Sequence, residues 1–290
     1  MRILCAAVAS CILLVLAAAA ETRPEGIFVS SGKPGGYYDS VASRMRYVLR
    51  PEFDQLIDLR SSEGSLENLG RLDDDSSPIN VAFTQADALA HYLQAHPAFE
   101  KKYVVLAELG RECAFLIAPR KGGITKASDL HVARGQTVAV GDTLSGAAVT
   151  YEYLSHLDPR FRNTPAKNTS TIEAMLDLKA STRRLNIAAA MVVQRPLVIS
   201  APVEIAMDNR DLYRFVPIRE EDVQGDLHAK SKYTFETIDL GFGRDYRVSL
   251  ETICTQGLIL GAKGKFSERM LAKLAQSILD SRRYIMPGSN

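Results

Sequence analysis

The apolar positions fall into short runs that alternate between two periods. Gly26 to Ser30 is a compact apolar stretch, and Tyr37 to Leu49 carries Val41, Met45 and Val48 at spacings of four and three. The first predicts a buried strand and the second a helix with one apolar face, which Pro51 stops. The pattern then repeats. Gln55–Leu59 reads as a strand and Leu66, Leu69 and Leu72 mark a helix. Ile79–Phe83 reads as a third strand, with Thr84 placed to cap a helix running through Leu93. Val104–Ala107 and Cys113–Ala118 are two further apolar runs, and Pro119–Gly123 interrupts the rhythm. A second round follows, with strands over Thr137–Val140, Ile187–Val193, Tyr213–Ile218 and Val248–Leu260. Its helices are predicted over Ala147–Leu157, Ile172–Leu178 and Ser267–Ile278. Strand, loop and helix in repetition imply parallel sheet with right-handed crossovers. Two α/β units therefore stand in series, and the last helix is expected to return to the first unit.

The first twenty residues differ from the rest. Met1-Arg2 is a short positive start, Ile3 to Leu16 is apolar, and Ala18-Ala19-Ala20 offers small residues before the polar Glu21-Thr22-Arg23-Pro24. This is the pattern of an export signal cleaved after Ala20, giving a periplasmic product; a single membrane anchor is the alternative. Cys5 and Cys11 would be lost on cleavage, leaving Cys113 and Cys254 in an oxidising compartment. The composition is globular, at 46% hydrophobic and 24% charged. Beyond Ala20 the chain carries 34 basic and 34 acidic residues. That balance lacks the positive surplus that binding to phosphate backbones needs, which disfavours nucleic acid as a partner.

Candidate chemistry is concentrated in the loops. His91 and His96 are five apart and do not share a helical face, and no cysteine pair has metal-ligand spacing, so neither a metal site nor a cofactor is expected. No Gly-x-Ser-x-Gly elbow is present, and Asp73-Asp74-Asp75 reads as a solvated turn. Three loops rich in Ser, Thr and Gly instead follow predicted strands and open helices: Ser30–Gly36, Ser61–Ser65 and Gly141–Gly146. None has the phosphate-loop or dinucleotide spacing. Ligands in open parallel sheets sit at the carboxyl ends of strands, and helix N-termini favour anions. Ser31, Gly35, Tyr37, Ser62, Ser65, Gln85, Thr143, Ser145 and Gln194 all lie just beyond strands and are expected to line one cleft. Of Tyr37 and Tyr38, one is expected in the core and one in the cleft. Arg195, and after it Lys33, are the candidate counter-charges for a carboxylate, a surface role being the other reading of each. Ordinary tight connections are the competing reading of the loops.

The opening Ser31 to Tyr38, ending Tyr-Tyr, resembles the glycine-rich start of the TAXI solute-binding proteins, the TRAP-associated extracytoplasmic immunogenic family. Ser61-Ser62-Glu63-Gly64-Ser65-Leu66-Glu67-Asn68-Leu69 is similar to that family's Thr/Ser-x-Gly-Ser-x-x-Asn motif, and Asn80 to Asp87 to its Asp-Leu-Ala-Phe-x-Gln-x-Asp. Ile124 to Gly141 is similar to the family's passage into a second lobe. The likeness runs colinearly over most of Ile27 to Leu279. Departures include Lys33-Pro34 in the opening loop and Asn80 where the family has an acidic residue.

The resemblance implies a type II periplasmic binding protein fold of the α/β class, with two lobes around a ligand cleft joined by hinge strands. Residues 21–118 and 247–290 would form the first lobe and 119–246 the second. It implies no enzymatic activity, but capture of a small organic anion or amino acid by hinge closure and delivery to a TRAP-type membrane permease. A ligand-sensing binding protein that signals to a membrane receptor is the alternative. In that fold the segments holding Cys113 and Cys254 run side by side near the hinge, which permits a disulfide; two buried free thiols are the other possibility.

Overall fold

The computed structural model describes residues 26–53, 57–179, 185–196, 198–224, 232–240 and 247–287. The export signal, its cleavage point after Ala20 and His228 lie outside the described residues. Among those described, no helix is long and apolar enough to cross a membrane.

The first half of the chain gives β1 (Ile27–Ser30), α1 (Tyr37–Leu49), β2 (Ile57–Arg60), α2 (Ser65–Asp73), β3 (Val81–Gln85) and α3 (Ala86–Ala95). A long strand, β4 (Tyr103–Pro119), leads out of it. The second half gives β5 (Thr137–Ala139), α4 (Gly146–Leu157), β6 (Ala166–Lys167), α5 (Thr171–Lys179), β7 (Ile187–Gln194), α6 (Ala201–Asp208), β8 (Tyr213–Val216) and β9 (Tyr233–Leu240). A second long strand, β10 (Val248–Ala262), returns, and α7 (Glu268–Asp280) and α8 (Arg282–Ile285) follow.

These strands hydrogen-bond in the order β2-β1-β3-β10-β4-β7-β5-β6, with β8 added on β4 and β9 on β10. β1 is parallel to β2 and β3, and β5 is parallel to β6 and β7. Between these two parallel halves lies an antiparallel ribbon of β4 and β10. β10 pairs with β3 through Gly257–Gly261 and with β9 through Val248–Thr255, while β4 reaches β7 through Cys113–Ile117. The ribbon thus belongs to both halves and carries the chain out and back.

Each half-sheet is covered on both faces, which is why its strands read as continuous apolar runs. In the first half, Val41, Met45 and Leu49 of α1 pack with Leu271, Leu274 and Ile278 of α7 over β1, β3 and β10. The final helix therefore packs on the core of the first unit. Leu69, Leu72 and Leu89 from α2 and α3 cover the opposite face. In the second half, Tyr151 and Leu154 of α4 cover one face and Met175, Val203 and Met207 of α5 and α6 the other. Cys113 and Cys254 stand opposite each other in the ribbon register and are joined by a disulfide.

Several local expectations need correction. The runs at 104–107 and 113–118 belong to one strand, because the intervening polar residues pair with β10 across a bulge. Thr84 is no cap: it lies inside β3, and Gln85 occupies the N-cap position of α3 without a side-chain cap bond. The hydrophobic pattern did not announce α6 or β9. β9 sends Tyr233 into the core on one face and Ile238 and Leu240 into the core on the other, with exposed Thr234, Thr237 and Asp239 between them, so it has no clean apolar alternation.

Candidate functional site

Where the carboxyl ends of β1, β3 and β7 meet, the two halves enclose a cavity of about 450 Å³. The first half supplies Gly32 to Tyr38, Gly64, Ser65, Gln85 and Glu112. The second supplies Gly146, Val192 to Arg195, Val198 and Ser200.

Side chains behind the loops fix the first wall. Asn68 of α2 donates to the Ser31 and Phe83 carbonyls at 2.9 and 2.7 Å and accepts from the Ser30 hydroxyl at 2.6 Å. Arg71, one turn on, donates to the Ser61 carbonyl at 2.7 Å. Ser62 N–H donates to the Gly32 carbonyl at 3.1 Å, which stitches the first two loops together. Asn80 works at the other end of β1: its amide accepts from Phe28 N–H and donates to the Gly26 carbonyl, both at 2.8 Å, a pairing a carboxylate could not complete.

The halves touch at the rim. Lys33 bridges Glu63, at 3.1 Å, and Asp142 of the other half. Gly64, at φ 153°, lies so close to the Leu144 carbonyl that any Cβ there would overlap it. Deeper in, the Arg195 Nη1 donates to the Tyr37 hydroxyl at 3.0 Å, and the guanidinium lies 4.9 Å from that ring's centre.

Two buried carboxylates stand behind this contact. Asp87, at the start of α3, accepts from Thr150 of α4 at 2.6 Å and from the Tyr233 hydroxyl at 2.9 Å through one oxygen, and from Ala88 N–H at 2.8 Å through the other. Burial raises its pKa even so. Glu112, on β4, faces the cavity. Burial pushes its carboxyl up to about 7; Asp87 adds to the rise, while Tyr38, Arg195 and Gln85 beside it hold it down. Burial also pushes the Tyr38 hydroxyl well above the ordinary phenol range.

Of the residues the sequence singled out, Lys33, Gly35, Tyr37, Ser65, Gln85, Gln194 and Arg195 line this cavity. Tyr38 lines it as well, while its ring packs 5.6 Å from that of Phe83; the expected division between core and cleft does not hold. Ser31 and Ser62 are buried in the wall loops behind the lining. Ser145 caps α4: its hydroxyl accepts from Ala148 N–H at 3.2 Å and donates to the Val140 carbonyl at 2.8 Å. Thr143 departs from expectation, since it lines a separate recess with Tyr151 and Asn168. The Gly141–Gly146 loop still meets the first half through Asp142, which pairs with Lys33, and the Leu144 carbonyl, which abuts Gly64; Thr143 between them lines the recess instead. Sequence reasoning missed Glu112 and the apolar wall of Val192, Val193 and Val198.

The lining combines apolar side chains, a few convergent polar groups and helix starts. α1 and α2 begin here without a side-chain cap bond; at α3 the Asp87 and Ala88 N–H groups are taken by Thr255 Oγ1 and the Asp87 carboxylate, and α4 and α7 are serine-capped. Uncapped N-termini leave backbone donors for an anion.

By sequence, the chain matches no family model and no curated protein. By structure it is similar to a protein described as a periplasmic transporter, with 11% identity, a TM-score of 0.51, and 91% of this chain and 83% of that one covered. It is also similar to XAC2383 from Xanthomonas citri bound to ATP, with 11% identity, a TM-score of 0.51 and coverage of 90% and 89%. The chloride-bound form of the same protein aligns at 10% identity with a TM-score of 0.50. Together with the two parallel half-sheets joined by an antiparallel ribbon, these likenesses establish the fold: a two-lobed α/β protein of the periplasmic binding type.

Proposed function

We propose that this chain is an extracytoplasmic solute-binding protein that closes its lobes around a small organic anion or amino acid and hands it to a TRAP-type membrane permease. In this reading residues 21–118 and 247–290 form the first lobe and 119–246 the second, and the export signal is cleaved after Ala20. The role is capture rather than chemical conversion. The observation that carries the proposal is the cavity of about 450 Å³ between the lobes, lined from both sides and edged by Lys33 bridging Glu63 and Asp142. A ligand that touches both lobes favours the closed arrangement by the difference in its affinity for the two forms, and nothing more.

Arg195 is the proposed partner of a ligand carboxylate, with Tyr37 orienting its guanidinium and Lys33 a second positive charge at the rim. Gly35, Ser65, Gln85 and Gln194 complete the proposed contact set, with Ser31, Ser62 and Ser145 shaping the walls.

A thermal-shift screen of the mature protein against carboxylates and amino acids tests the proposal. A solute at a hundred times its Kd stabilises by about 2.7 kcal/mol. At least one compound should raise the melting temperature, and Arg195→Ala should weaken its binding tenfold or more. A flat screen rejects solute capture of this class; a responding compound whose affinity ignores Arg195→Ala rejects that assignment alone.

A further inference from the structure

Part of the cavity lining is not built for an anion. Glu112 is 8% exposed, and its Oε1 has no protein partner in hydrogen-bond geometry among the described residues. Beside it, Gln85 is 1% exposed, and neither its Oε1 nor its Nε2 has such a partner. The backbone makes room for both. A Cβ on Gly257 of β10 would stand 2.9 Å from Glu112 Oε1 and 3.1 Å from Leu109 Cβ, so a larger residue there would displace the carboxylate. A Cβ on Gly146, across the lobe boundary, would stand closer still to the Gln85 amide.

Burying polar atoms with their bonds unmade is costly, on the order of 1–3 kcal/mol for each group. The groups facing Glu112 are Tyr38 from α1, Gln85 from β3, Asp87 from α3 and Arg195 after β7. Asp87 is already served by Thr150 and Tyr233 and adds a second negative charge. Arg195 directly follows Gln194, which pairs with Cys113 in the strand register, so its charge reaches Glu112 while its guanidinium donates to the Tyr37 hydroxyl. The cavity lining therefore offers groups of both signs: Arg195 and the uncapped starts of α1 and α2 favour an acidic group, and Glu112 with the Gln85 carbonyl favours a cationic donor.

We propose that Glu112 and Gln85 form a subsite for the ammonium group of the solute, so that the cavity takes zwitterionic amino acids in preference to the same acids without the amine. This deepens the solute-capture reading and rests on it. Burial holds the Glu112 carboxyl at about 7. An ammonium beside it favours the ionised form, so binding releases protons; an added carboxylate with no amine favours the protonated form and takes protons up.

The test is titration calorimetry of the mature protein at pH 7 with matched pairs: L-leucine and isocaproate, L-phenylalanine and hydrocinnamate, L-glutamate and glutarate. Each is run in two buffers of different ionisation enthalpy. At least one amino acid should bind tenfold or more tightly than its partner and release protons. Glu112→Gln should erase most of that preference and the proton exchange with it. Equal or tighter binding of the amine-free acid, proton uptake with the amino acid, or a preference that survives Glu112→Gln overturns the subsite but leaves solute capture standing. No binding by any of the six overturns both. Should Glu112→Gln fail to fold, the sign of the wild-type proton exchange decides the matter by itself.

Discussion

The two faces of the β4–β10 ribbon make opposite uses of neighbouring residues. On one face Cys113 and Cys254 are bonded, packed among Phe115, Ile117 and Leu250. On the other, one position away, Glu112 is paired in register with Thr255 and looks into the cavity with an oxygen unserved. Strand geometry sends successive side chains to opposite faces, so a slip of one residue would exchange the two environments. A covalent bond across 141 positions holds that register just where an exchange would put a carboxylate in the core. Asp87 sharpens the contrast. It too is buried, but Thr150, Tyr233 and Ala88 serve both its oxygens. A completed carboxylate joins the lobes; an incomplete one beside a cavity is left for a ligand.

The largest effect expected is on the covalent face. Converting Cys113 and Cys254 to serine should lower stability by up to ~5 kcal/mol on the loop-entropy account, measured by denaturant unfolding. An unchanged midpoint would mean that the register is held without the bond.

The cavity face should show itself through pH. The Glu112 carboxyl lies near 4.5 when unfolded and at about 7 when folded. The folded state therefore binds the proton more tightly. The stability this provides is present below pH 4.5 and is lost as pH rises through 7. The difference is about 3 kcal/mol. Unfolding curves of the unliganded protein and of Glu112→Gln between these limits should diverge by that amount, with the wild type losing more on the alkaline side. Parallel curves would remove Glu112 from the account.

Asp87→Ala leaves the Thr150 hydroxyl without its acceptor and the Tyr233 hydroxyl with only the Thr150 carbonyl, and should cost about 2 kcal/mol, with Asp87→Asn costing less because an acceptor oxygen remains. If both variants melt like the wild type, the comparison of the two carboxylates fails. The smallest effect belongs to the rim. Lys33 is 44% exposed, and Lys33→Ala should change stability by no more than about 0.5 kcal/mol, while solute dissociation quickens. A larger loss of stability would mean that the rim is a structural contact rather than a closing one.

Much of this was legible in the residues because the relevant signals are local. α1 spans Tyr37–Leu49 as its apolar spacing predicts, and the strand–loop–helix rhythm located the β1–α1 and β2–α2 loops that line the cavity. Long-range placement was less legible. Glu112 lies between the two apolar runs of β4 and carries no motif; its setting depends on Gly257 and Gln85, which sequence leaves far away. An acidic residue directly before the buried run Cys113–Ala118 was the one available sign. The three Ser/Thr/Gly loops looked equivalent, yet Ser145 serves its own helix, and its loop carries Thr143 into another recess. Loop composition reports that a helix begins, not which way the loop tip faces.

A crystal structure of the mature protein with the amino acid that binds most tightly tests the central claim most directly. The account predicts density in the cavity between the lobes, with the carboxylate against Arg195 and the ammonium within hydrogen-bond distance of Glu112 and Gln85. A solute lodged instead in the recess beside Thr143 and Tyr151, or seated between the lobes with its carboxylate toward Glu112, would contradict it.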